Sequence, residues 1–188
     1  MRYNLDEIAD DSTRNFTQST LRERIVEHLF IGDVLRRLWQ HRITDIEILR
    51  SEFDAGGYDL VLSHRNIVRH IQFKTVGVSA KASPTKISLK LAEKPSGCVI
   101  LIVVTPCLIL DSYLWFGDEP GKPLPGIDAL KIAKHNKGTA KGIKNDRPNH
   151  RTLPRNRFVR LATLDDVIER LFGIEQSVSK TGTDTPKI

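Results

Sequence analysis

This chain has no hydrophobic run approaching the ~20 residues of a membrane-crossing helix. Its longest aliphatic stretch, Val99 to Val104, has six residues. Cysteine is scarce: Cys98 and Cys107 are the whole set, both in apolar surroundings. Two sulfurs without further ligands do not make a zinc site, and the thiols read as buried, structural groups of a cytoplasmic protein. The six histidines show no zinc-ligand spacing. Also missing are the phosphate-binding G-x-x-x-x-G-K-[ST] loop, the dinucleotide G-x-G-x-x-G turn and the hydrolase G-x-S-x-G elbow. There is no helix-turn-helix or zinc-finger pattern. The opening MRYNLDEIADDSTRN is polar and acidic, unlike a secretory signal.

What is present supports a folded domain. Of 188 residues, 39% are hydrophobic and 28% charged, enough apolar material for one core. The net charge is +6, but its placement matters more than its size. Residues 131–160 hold ten Lys and Arg against the single acid Asp146, giving +9, so the other 158 residues sum to −3. Such a concentration favours a polyanionic partner, because each neutralised phosphate releases counterions. The plainer alternative is a solvated basic loop. Aromatic residues are absent from 131–157, so base stacking of the single-strand-binding kind is not indicated.

Residues 1–18 read as a polar leader. Thr20 and Glu23 have capping-box spacing, and a broadly apolar helix should follow from about Leu21 to Trp39. A strand is expected over 45–53 and turn chemistry over 54–57. Strands at 58–62 and 67–75, joined by a 63–66 turn, make a β-hairpin. The stretch 76–94 fits strand or helix. Cys98 to Thr105 reads as a central strand buried on both faces, and 108–116 as its neighbour. A Pro- and Gly-rich loop, the basic segment, a short strand at 158–161 and a helix opened by Thr163 and closed by Gly173 complete the order. Residues 174–188 read as a disordered tail. The expectation is one α/β domain over 19–173 with a mixed central sheet.

Three features carry the chemistry. Asp59 is an acid in an apolar strand, where lost hydration calls for a cation or donor. Gln72 and Lys74, two apart on a strand, share a face. If the 63–66 turn closes symmetrically, Leu62 pairs with Ile67, Asp59 with His70 and Gly57 with Gln72. Asp59 and Gln72 are then diagonal neighbours within ~7–8 Å, close enough for a divalent cation to bridge. Gly56 and Gly57 would leave room there for a ligand. Glu27 lies in the stripe of Phe30, Ile31, Val34 and Leu38, an unusual place for a carboxylate unless it is salt-bridged. Glu23, one turn earlier, reads as a capping acid. His70 could touch a phosphate or be an ordinary strand histidine.

A helix glutamate, a strand aspartate and a Q-x-K strand thirteen residues on resemble the PD-(D/E)XK nuclease superfamily, the restriction-endonuclease-like fold. Tyr58-Asp59 matches the first acidic motif and Gln72-Phe73-Lys74 the second, with glutamine replacing the second acid; Glu27 lies where many members have a helix glutamate. The likeness spans roughly residues 20–105. It implies an αβββαβ core with a mixed sheet flanked by helices, and an Mg²⁺- or Mn²⁺-dependent endonuclease acting on DNA. Asp59, the Gln72 side-chain oxygen, the Phe73 carbonyl and Glu27 would hold the metal, while Lys74 orients water or stabilises the transition state. Lys134, Lys137, Lys141, Lys144, Arg147, Arg151, Arg155 and Arg157 would contact the phosphate backbone without reading sequence. A second copy of the chain is a candidate partner, since many such nucleases cut duplexes as dimers. The alternatives are a catalytically inactive nucleic-acid-binding module on the same fold, or a protein-interaction domain of the immunity or antitoxin kind.

Overall fold

The computed structural model describes residues 17–53, 56–135 and 145–174. The expected leader and tail, and Lys137, Lys141 and Lys144, lie outside the described residues apart from the edges of the two terminal segments.

The first helix, α1 (Ser19–Gln40), places Val26, Phe30, Val34 and Leu38 on its buried face. Their four-residue spacing forms a stripe one turn apart, the pattern of a helix laid on a sheet. Leu21, Ile25 and Leu29 remain exposed, which explains why the helix looks apolar all round in sequence. No capping box forms at Thr20 and Glu23: the N-cap is Gln18, which makes no side-chain cap. Because the helix starts at Ser19, Thr20 already lies inside its first turn.

Six strands make the main sheet, in the order β1-β2-β3-β5-β6-β9. They are β1 (Ile46–Leu49), β2 (Leu60–His64), β3 (Ile67–Gly77), β5 (Gly97–Val104), β6 (Leu110–Gly117) and β9 (Val159–Leu161). β3 and β5 run parallel and every other pair is antiparallel, so the sheet is mixed. The connection between β3 and β5 contains β4 (Thr85–Ser88) and the one-turn helix α2 (Leu89–Ala92). The ambiguous stretch is thus strand and helix in succession, the alternation of Ile87 to Leu91 being shared between them.

β5 is buried along its whole length, as its unbroken apolar run implies. Cys98, Ile100, Ile102 and Val104 face one core layer with Phe30 and Phe73. Val99, Leu101 and Val103 face another with Ile87, Leu153 and Phe158. The first layer is closed by α1 and by α3 (Leu164–Phe172). In it Phe30 meets the edges of Phe73 and Tyr113 at centroid distances of 5.1 and 5.9 Å. The second layer is closed by Ile87 and Leu153 of a three-stranded antiparallel sheet, β4-β8-β7, together with Leu91 of α2 and the loop residues Leu124 and Ile127. β7 (Ile132–Lys134) and β8 (Asp146–Leu153) come from the basic segment. That segment is therefore partly pleated sheet, not a plain loop. The molecule is an α/β protein with a mixed sheet between helices and a smaller sheet.

α3 has both expected termini. The Thr163 hydroxyl accepts from the Asp166 N–H while the Asp166 carboxylate accepts from the Thr163 N–H, and Gly173 closes the helix at φ +67°. Arg37 of α1 makes a forked ion pair with Asp165 that joins the two helices. Of the two cysteines, Cys98 is buried and its thiol is pushed up to about 12 by desolvation, whereas Cys107 is exposed, contrary to expectation. No described helix is long and apolar enough to cross a membrane.

Arg69 is fully buried, which sequence reading did not anticipate. Its guanidinium donates to the carbonyls of Arg170 and Leu171, in the last turn of α3, and to that of Asp118, at 2.6, 2.9 and 2.9 Å. It lies 5.4 Å from the Trp115 ring centroid. A cation at a helix C-terminus satisfies carbonyls that have no intrahelical donor and meets the negative end of the helix dipole.

Candidate functional site

The hairpin register sets the site. β2 and β3 are joined by two residues, Arg65 and Asn66, and the pairs run from His64↔Ile67 to Leu60↔Ile71. Arg65 adopts φ +54°, the left-handed geometry that matches a two-residue turn to strand twist. The symmetric four-residue turn expected from sequence is thus replaced by a tighter one, shifting the register by two. A shift of two keeps every side chain on its face. The pairing ends at Leu60↔Ile71, and Asp59, just before β2, also lies against Ile71, beside Gln72.

Asp59 precedes β2 and is exposed, so it is not the desolvated strand acid that the sequence predicts. Its N–H donates to the Ile71 carbonyl at 2.8 Å, one residue out of step with the Leu60↔Ile71 pair, so the strand bulges where the ladder ends. Its Oδ2 accepts from the Phe73 N–H at 2.7 Å. In an antiparallel pair the N–H and C=O of a residue point to the same side, so the Phe73 carbonyl also faces the Asp59 side, just past the end of β2. Gln72 is buried, and its Oε1 has no hydrogen-bond partner. An orphaned oxygen at this depth costs about 1–3 kcal/mol unless something electropositive meets it. Lys74 is half-buried, with no hydrogen-bond or ion-pair partner among the described residues.

Asp59, Gln72 and Lys74 line one cleft of about 450 Å³, whose far wall carries Lys86, Arg147, His150 and Arg155. In this cleft four cationic side chains face one carboxylate. Arg147 donates to the His150 imidazole at 3.0 Å. Two strands of the second sheet and the turn after it thus bring the basic segment to the acid. A neighbouring cavity of about 200 Å³ shares Asp59 and Lys74 and adds Glu23, Glu27 and Phe73. Here carboxylates outnumber cations. Among the described residues, no three His, Cys, Asp or Glu side chains converge as a ready metal-ligand set. The oxygen donors around Asp59 are its own carboxylate and the Gln72 amide in the large cleft, and the Phe73 carbonyl on the side of the smaller cavity. All are hard oxygen donors, suited to Mg²⁺ or Mn²⁺ rather than to a softer metal.

Glu27 does lie in the apolar stripe, and it is paired. Its Oε2 accepts from Arg24 at 3.0 Å. Its Oε1, sealed from solvent, lies 2.6 Å from Nη1 of Arg50. Two guanidiniums thus occupy the carboxylate expected to hold metal. The helix acid without an ion pair among the described residues is Glu23, exposed and lining the smaller cavity. The sequence signal for Glu23 was its place one turn before Glu27 on the same helix face.

His70 is engaged elsewhere. Its Nδ1–H donates to the Pro95 carbonyl at 3.1 Å, and its ring meets Tyr58 edge-on at 5.0 Å. Burial pushes its pKa below the ordinary value, with Lys94 acting in the same direction against the Pro95 hydrogen bond. A histidine so held is a poor phosphate contact. Nor do the paired glycines open the backbone to a ligand. Gly57 has φ +71°, and a Cβ there would come within 2.6 Å of Ser88, while the space over Gly56 is filled by the Tyr58 ring. These glycines seat the turn against β4. Arg151 is spent on the carbonyls of Asp128, Pro148 and His150, and Arg157 lies over the Phe116 ring. Lys134 is exposed on β7. Of the described basic residues expected to meet a phosphate backbone, Arg147 and Arg155 are those that reach the cleft.

No family model, curated protein or solved structure matches this chain.

Proposed function

We propose that this chain is a divalent-metal-dependent phosphodiesterase that cuts DNA internally, built on the PD-(D/E)XK plan with a Q-x-K second motif. The observation that carries the reading is the meeting of Asp59, Gln72 and Lys74 in one solvent-reachable cleft, with the Gln72 oxygen buried and unpartnered. The element succession α1-β1-β2-β3-β4-α2-β5, with β4 in the second sheet and β3 and β5 parallel, is that of the expected core with one strand inserted, and supports it.

Asp59, Gln72 Oε1 and the Phe73 carbonyl would hold Mg²⁺ or Mn²⁺. Such a cation supplies positive charge to the phosphate and makes water a better nucleophile. The Phe73 N–H fixes the rotamer of Asp59, so the carboxylate is aimed before substrate arrives. Lys74 donates a hydrogen bond to the attacking water or to a phosphoryl oxygen, whose charge grows toward the transition state. Arg147 and Arg155 hold neighbouring phosphates and set the strand against the acid.

The test is incubation of closed-circular plasmid with Mg²⁺ or Mn²⁺, with chelator as control. Nicking or linearisation is expected, and Asp59→Ala and Lys74→Ala should each lower its rate by about 100-fold or more. Equal cleavage by wild type and both variants would remove the enzymatic reading. A second reading keeps the DNA cleft without catalysis; the engagement of Glu27 by two arginines favours it. It predicts binding to the plasmid and no cutting in any metal.

A further inference from the structure

On the side of Asp59 away from Arg147 and Arg155 lies a third cleft, of about 370 Å³, lined by Arg24, His28, Arg50, Ser51, Glu52, Phe53, Tyr58 and Asp59. It shares Arg24 and Asp59 with the 200 Å³ cavity, which in turn shares Asp59, Lys74 and Thr75 with the 450 Å³ cleft. The three adjoin, with Asp59 lining each of them, and are taken together as one groove. Its charge is patterned. Glu23, Glu27 and Asp59 lie at the middle; Lys86, Arg147 and Arg155 lie at one end, and Arg24 and Arg50 at the other. Along the whole groove, six cationic side chains stand against four carboxylates, Glu52 being the fourth.

Glu27 is the organiser of the second end. It is nearly buried, with a side-chain exposure of 7%, and it grips one nitrogen each of Arg24 and Arg50. A guanidinium has five N–H donors in a rigid fork, so each arginine keeps donors for a further anion. Both arginines are solvent-reachable, at 61% and 38% exposure. Tying two long side chains to one fixed carboxylate removes much of the rotamer freedom they would otherwise lose on binding.

We propose that Arg24 and Arg50, positioned by Glu27, form a second phosphate-binding wall, so that a DNA strand runs through the groove past Asp59 and is held on both sides of it. The substrate is then the interior of a chain and not its end. This deepens the proposed function, resting on the Asp59 cleft as the DNA site, but its test needs no cutting.

The experiment is fluorescence anisotropy of a labelled DNA duplex in chelator, titrated at several salt concentrations. Arg24→Gln and Arg50→Gln are made singly, so that Glu27 keeps one guanidinium, with melting curves to verify folding. Each should weaken binding and reduce the log–log salt slope by about 0.9, the value for one lost phosphate contact on a duplex. Arg36→Gln, which removes an exposed α1 arginine that does not line the groove, should leave the slope unchanged. Covalently closed circular DNA, which has no ends, should compete as well as linear DNA of the same sequence. Unchanged slopes for Arg24→Gln and Arg50→Gln, alongside reduced slopes for Arg147→Gln and Arg155→Gln, would end the groove at Asp59 and overturn the proposal while leaving the proposed function standing. So would failure of the closed circle to compete. Absence of salt-dependent DNA binding by the wild type would overturn both. Because Arg24 is largely exposed, its variant keeps the proposal falsifiable even if Arg50→Gln unfolds.

Discussion

At the residue scale, two helix glutamates one turn apart have different surroundings, and the difference is testable. Glu27 is nearly buried and grips two arginines; Glu23 is exposed on the cavity beside Asp59. Glu23→Gln should raise the Mg²⁺ concentration needed for half-maximal cleavage while leaving the melting temperature near wild type. Glu27→Gln should do the reverse, because it leaves two guanidiniums without their shared counter-charge. Metal titrations of cleavage rate and thermal melts of both variants separate the roles. Arg69 offers a second test. Arg69→Met would leave the carbonyls of Arg170, Leu171 and Asp118 without a donor, and should cost about 3 kcal/mol. A lower denaturant midpoint at unchanged slope would verify it.

At the element scale, the clip between α1 and α3 makes stability depend on acid. The hydrogen bonds from Arg37 hold the Asp165 carboxyl below its ordinary value, against the opposing effect of burial. A depressed carboxylate stabilises the fold above the ordinary range near ~3.9, and that contribution is lost as pH falls through the lower, folded value. Asp165→Asn should therefore lose stability at neutral pH and show a shallower decline between about pH 5 and 2. Urea midpoints across that range measure it. The elements themselves were largely legible. Unbroken apolar character marked β5, and Thr163, Asp166 and Gly173 marked both ends of α3, because these signals are local. The hairpin register was not, since it depended on Arg65 accepting a left-handed backbone that its side chain does not advertise. Nor was the second sheet, whose β4–β8 pairs join residues more than sixty apart. Arg69 left a trace: it shares a strand face with Ile67, Ile71 and Phe73, and a lone cation on an apolar face calls for acceptors. The site was half legible. That Asp59, Gln72 and Lys74 would line one cleft was legible from spacing, whereas the partners of Glu27 came from β1's end and the helix itself, which no pattern connects.

At the scale of the whole molecule, the proposed cation ties function to stability. Anything that binds the folded chain alone stabilises it, by about 2.7 kcal/mol at a hundred times its dissociation constant. Mg²⁺ or Mn²⁺ should raise the melting temperature of the wild type and leave that of Asp59→Ala unmoved. Gln72→Glu, which places a carboxylate at a buried position, should melt lower than wild type in chelator and gain more from added metal. A calorimetric series with and without chelator reads both effects. The basic strands contribute at this scale too: by pairing with β4, inside the β3–β5 crossover, β8 carries Arg147 to within the same cleft as Lys74.

The amide at position 72 has one more consequence. Two acids facing each other across the β2–β3 ladder would repel in dilute magnesium, and the hairpin would hold its shape only with a counter-ion in attendance. An uncharged glutamine beside Asp59 in the cleft removes that mutual repulsion. On the proposed reading the fold would assemble without metal, and DNA phosphates would add ligands to an ion held by Asp59 and Gln72, so that the ion would bind more tightly once substrate is in the cleft.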